Sequence, residues 1–107
     1  MTYKFLYNSS ILFLMNVSTG GNMNITTIDQ PTLNLLQKAF EIILKENNIR
    51  FKKVGIVDDG DQLLFLFEGK TKKIHVFKWS KQTSLGVSIG ELAQSVLAPI
   101  KPTLRTL

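Results

Sequence analysis

The residues whose types could support catalysis lie between Asp58 and Lys70. Asp58-Asp59-Gly60-Asp61 followed by Glu68-Gly69-Lys70 has the content of a magnesium-dependent nuclease site, an aspartate joined to an E-x-K grouping. The spacing argues against that chemistry. Gln62 to Glu68 reads as one β-strand, and at about 3.3 Å per residue it holds Asp61 and Glu68 roughly 23 Å apart. Asp58 and Asp59 close the preceding strand at that same far end, so these carboxylates cannot share a metal ion. Alone, the aspartate cluster lacks the alternating oxygen ligands and closing glutamate of an EF-hand loop, and it reads as a solvated turn.

The other chemically capable side chains are isolated. His75 is the single histidine. It has no acid or nucleophile beside it in sequence to form a dyad, and alone it cannot build a multi-histidine metal centre. The absence of cysteine excludes disulfides, thiolate zinc sites and cysteine nucleophiles, and it leans towards a cytoplasmic location. Gly55, Gly60 and Gly69 fall on separate elements and form no phosphate-binding loop. No cofactor, no metal and no enzymatic activity are expected.

The elements that must position these residues centre on Phe51 to Trp79, which reads as a three-stranded antiparallel meander. Asp58-Asp59-Gly60-Asp61 and Glu68-Gly69-Lys70-Thr71 supply turn chemistry between runs rich in β-branched and aromatic residues. The first strand, Arg50 to Val57, places Val54 and Ile56 opposite Phe51, Lys53, Gly55 and Val57. The second, Gln62 to Glu68, is apolar on both faces, with Leu63, Phe65 and Phe67 on one and Leu64 and Leu66 on the other. Such a strand belongs in the middle of the sheet, covered on both sides. The third, Lys72 to Trp79, sets Ile74 and Val76 against His75, Phe77 and Trp79, and its lysines suit an edge.

Two helices flank the meander. From Pro31 to Asn47, Leu33, Leu36, Phe40 and Ile43 recur at helical spacing, with a proline in the first turn and Asn47-Asn48 as a left-handed stop. Glu41 and Lys45 form an i,i+4 pair. Ser88-Ile89-Gly90-Glu91 fits a capping box, with Val87 and Leu92 as its hydrophobic staple. That second helix should begin at Ile89 and stop near Leu97 because of Pro99, leaving Pro102 and the last residues frayed. The fold class is therefore α+β, two-layered, in the order helix, three strands, helix. Double-stranded RNA-binding domains share this order, but their Gly-rich and lysine-rich entry to the last helix is absent. Ser88 to Gln94 carries no basic residue, and no family is assigned.

Residues 1 to 23 are expected to form an extension or hairpin in front of one domain spanning 24 to 107. Phe5-Leu6-Tyr7 and Ile11-Leu12-Phe13-Leu14-Met15 are apolar but broken by Asn8-Ser9-Ser10, too short for a membrane span of about 20 residues. The segment resembles a signal peptide only weakly, since no A-x-A-like cleavage site follows it. Some eight apolar side chains should pack on the sheet or on a partner rather than form a free tail.

At 107 residues, 44% hydrophobic and 20% charged, the chain suits one domain with a single core, and its formal charge is +5. The layout of that charge is more informative than its sum. In an antiparallel meander the starts of strands one and three share one end of the sheet. Arg50, Lys52, Lys53, Lys70, Lys72 and Lys73 should converge there, opposite an acidic end. Two functional expectations follow. One is a non-enzymatic interaction or regulatory subunit, binding another protein or itself through apolar sheet surface drawn from Leu64, Leu66, Phe65, Phe67 and Trp79. The alternative is a nucleic-acid-binding module using the basic end.

Overall fold

The computed structural model describes residues 24–107, and the extension or hairpin expected for residues 1 to 23 lies outside them. The described chain forms α1 (Gln30–Glu46), β1 (Lys53–Asp59), β2 (Gln62–Glu68), β3 (Ile74–Ser80) and α2 (Ile89–Leu104). Its sheet is an antiparallel meander in the order β1-β2-β3. This is the expected α+β arrangement of two helices and three strands.

Each element forms for a local reason. Asp29 caps α1, its carboxylate accepting from the Thr32 backbone N–H at 3.0 Å, and the proline sits in the first turn, where a missing donor costs nothing. The helix ends as Asn48 turns left-handed with φ 59°. The β1–β2 connection shrinks to Gly60-Asp61. Only Gly60 has a positive φ, 72°, the pattern of a type II′ hairpin turn with glycine first. Asp58 and Asp59 therefore belong to β1 rather than to the turn. At α2 the capping box is complete, with Glu91 N–H donating to Ser88 Oγ and Ser88 N–H to Glu91 Oε1, both at 3.2 Å.

Three sequence expectations change. First, α2 does not stop at Leu97 but runs through Pro99 and Pro102 to Leu104. Each proline leaves the carbonyl four residues earlier without its helical donor. Those carbonyls belong to Ser95 and Ala98, and like both prolines these residues are exposed, so water can replace the lost bonds. The buried Val96, Leu97 and Leu104 hold the helix to the core, and the end of the chain is not frayed up to Leu104. Second, Phe51 precedes β1 and so escapes the strand's alternation. It packs partly against the core with Lys45 Nζ 6.0 Å from its ring centre. Lys45 thus lies over an aromatic ring, while Glu41 accepts from Gln37 at 3.3 Å. Third, Ser80 to Ser84 is not a plain loop but holds a single 3-10 turn, Gln82–Ser84, in which the buried Ser84 hydroxyl donates to Ser80 O at 3.0 Å.

The core lies between the helices and one face of the sheet. Leu36, Phe40, Ile43 and Leu44 from α1 and Leu92, Ala93, Val96 and Leu97 from α2 meet Val54, Ile56, Leu63, Phe65 and Phe67. Phe40 and Phe65 set their rings 5.3 Å apart at 56°, a tilted arrangement that adds to simple burial. Residues ahead of α1 close one side: Ile25 N–H donates to Val87 O at 2.7 Å, and Gly86 N–H donates back to Ile25 O at 2.8 Å. No helix among the described residues is long and apolar enough to cross a membrane.

Candidate functional site

Strand alternation and register define the sheet face turned away from the helices. Lys53, Gly55, Val57 and Asp59 of β1 share it with Gln62, Leu64, Leu66 and Glu68 of β2 and with Ile74, Val76, Lys78 and Ser80 of β3. The pairing arranges them in four cross-strand rows: Lys53–Glu68–Ile74, Gly55–Leu66–Val76, Val57–Leu64–Lys78 and Asp59–Gln62–Ser80. The two middle rows and Ile74 are apolar apart from Lys78. Val57, Ile74 and Val76 remain 45%, 56% and 49% exposed, and Leu64 and Leu66 are half-buried. β2, expected to be covered on both faces, is covered on only one by the described residues.

The five interaction candidates therefore separate. Leu64 and Leu66 lie on this open face. Phe65 and Phe67 are each 1% exposed beneath the helices, and Trp79 is half-buried on the same covered side. Val57, Ile74 and Val76, which complete the open patch, were legible as strand residues, but only the placement of both helices on one side marks them as exposed.

Gly55 lies on the edge strand β1, at one end of the row it shares with Leu66 and Val76. Its φ is not in the left-handed range, and an added Cβ would meet Leu66 Cδ1 at 3.7 Å, an ordinary contact. Neither the backbone nor the neighbours among the described residues require a glycine there, although glycine in a strand costs about 0.5–1 kcal/mol relative to alanine. Its effect is a hollow in the apolar face.

The six basic candidates do gather at one end. Lys53 begins β1 where β3 begins, and Lys70, Lys72 and Lys73 occupy the β2–β3 connection beside it. Arg50 and Lys52 lead in from α1, with the Lys52 N–H donating to Glu68 O at 2.7 Å. All six side chains are exposed. The connection is pinned from below, since a Cβ on Gly69 would come within 2.8 Å of the Leu107 carbonyl oxygen. At the opposite end, Asp58 is paired with Lys81 at 2.8 Å, while Asp59 and Asp61 are exposed. The intact β2 strand keeps these aspartates and Glu68 at opposite ends of the sheet. Among the described residues no group of three His, Asp or Glu side chains could hold a metal ion.

Trp79 Nε1 is buried and finds no hydrogen-bond partner among the described residues, and His75 lies half-buried beside Phe67 in the register. The described residues thus present an open aliphatic sheet face with a cationic end. No protein-family model, curated protein or solved structure matches this chain.

Proposed function

We propose that this chain is a small non-enzymatic interaction or regulatory subunit that binds a second copy of itself through the open sheet face. One observation carries the reading: Val57, Ile74 and Val76, each about half exposed, form one continuous aliphatic surface with Leu64 and Leu66. A contiguous patch of this kind suits an association surface. Three strands of seven residues span about 14 by 23 Å, which is small against the roughly 800 Å² per partner of a standard interface. Covering the exposed halves of three aliphatic side chains contributes about 1 kcal/mol each, against a substantial cost of association. The self-complex is accordingly weak.

Sedimentation velocity of the full chain across a concentration series tests this. A concentration-dependent rise in sedimentation coefficient is expected, and Val76→Lys or Ile74→Lys should abolish it without lowering the melting temperature. A monomer at every concentration would overturn the reading.

A second reading, nucleic-acid binding, is favoured by the six exposed basic side chains at one end. Replacing Lys52, Lys53, Lys72 and Lys73 by alanine should weaken such binding and flatten its dependence on salt. A wild-type chain with no salt-sensitive affinity for single- or double-stranded DNA or RNA at low ionic strength would remove this reading.

A further inference from the structure

We infer that two copies stack open face to open face with their strands antiparallel, Val57 of each seated over Gly55 of the other. This rests on the self-association proposed above and adds its geometry. A closed pair of identical surfaces is related by a twofold axis, and aligned packing keeps the strands of two sheets within about 30° of each other. Two arrangements satisfy both conditions.

With the axis along the strands, equivalent rows would face each other. Glu68 would then oppose Glu68, and Lys53, Lys70, Lys72 and Lys73 of both copies would crowd one end of the complex. With the axis across the strands, the four rows meet in reverse order. Row Gly55–Leu66–Val76 then lies on row Val57–Leu64–Lys78 of the second copy, and row Lys53–Glu68–Ile74 lies on row Asp59–Gln62–Ser80. Leu66 packs on Leu64, Lys53 meets Asp59, and Glu68 finds Gln62 with Lys78 diagonal to it, while Val76 lies against the Lys78 stem and Ile74 against Ser80. Every one of these pairings occurs twice.

The antiparallel stack also accounts for Gly55. A glycine that the backbone does not require, in the middle of a strand, marks a point of close approach. Here it provides the space for the exposed Val57 side chain. Both stacks place a valine over this hollow, Val76 with the axis along the strands and Val57 with the axis across them, so the charge pattern is what selects the antiparallel one.

The test is a reciprocal charge swap, followed by sedimentation equilibrium of the full chain, with melting temperatures recorded in parallel. Lys53→Asp and Asp59→Lys should each weaken association about tenfold, since each converts two attractive contacts into repulsive ones. The double variant should return to within about twofold of wild type. Lys53→Asp also places a second carboxylate opposite Glu68 in its own chain, a cost the double variant retains, so recovery must come from between the copies. Gly55→Ala should fold at least as stably as wild type yet associate several-fold more weakly. Wild-type association that the double swap fails to restore, or that Gly55→Ala leaves unchanged, would overturn the antiparallel stack while leaving self-association standing. No association by the wild type would overturn both.

Discussion

At the residue scale, Asp29 holds the first turn of α1, and its charge makes that hold sensitive to pH. The Thr32 hydroxyl, and then the Thr32 backbone N–H, donate to its carboxylate and keep its pKa below the ordinary 3.8. A carboxyl whose pKa is lower folded than unfolded contributes stability above its unfolded value and loses it as pH falls through the folded one. The melting temperature of wild type should therefore exceed that of Asp29→Ala at neutral pH, and the gap should close as the solution is acidified below 3.8. Ser88→Ala removes one half of a capping box and should cost about 1 kcal/mol in urea denaturation. Phe65→Ala, by contrast, leaves a cavity against Phe40 and should cost about 3–5 kcal/mol. The cap of α2 could be read from sequence because it is a fixed spacing of polar side chains ahead of an apolar run, whereas Asp29 was marked only by its place before a proline.

At the element scale, the unusual member is α2, whose two interior prolines stand on its exposed side. Pro99→Ala restores a donor for the Ser95 carbonyl and a better helix former, and should raise stability by about 1–3 kcal/mol. An unchanged or lower midpoint in chemical denaturation would mean that the proline's stiffening of the unfolded chain outweighs the recovered bond. The same helix shows where sequence reading stops. Alternation placed Gln62–Glu68 and both of its faces correctly, and the capping box located Ile89, because both signals are local. The helix end was misjudged at Pro99 because local propensity gave way to the burial of Leu104. The bonds from Ile25 to the loop ahead of α2 left no trace in sequence, since a single bridged residue has no periodicity. The convergence of the basic residues was legible, as it follows from antiparallel pairing alone. Which face of β2 stayed bare was not, because both faces carry leucine or phenylalanine and only the packing of the helices chooses between them.

At the scale of the whole molecule, the fold divides a two-faced strand between two tasks. Leu63, Phe65 and Phe67 anchor the core, and Leu64 and Leu66 continue an aliphatic surface to Val57, Ile74 and Val76. On the function we propose, this second surface is where the protein binds its second copy. Nuclear magnetic resonance on the full chain, with labelled and unlabelled copies mixed at high concentration, tests it most directly. Intermolecular methyl contacts confined to the open face are expected, with Val57 methyls near the Gly55 α-protons and Leu64 near Leu66. Methyls of Val57, Leu64, Leu66, Ile74 and Val76 that show contacts only within their own chain would contradict the proposal.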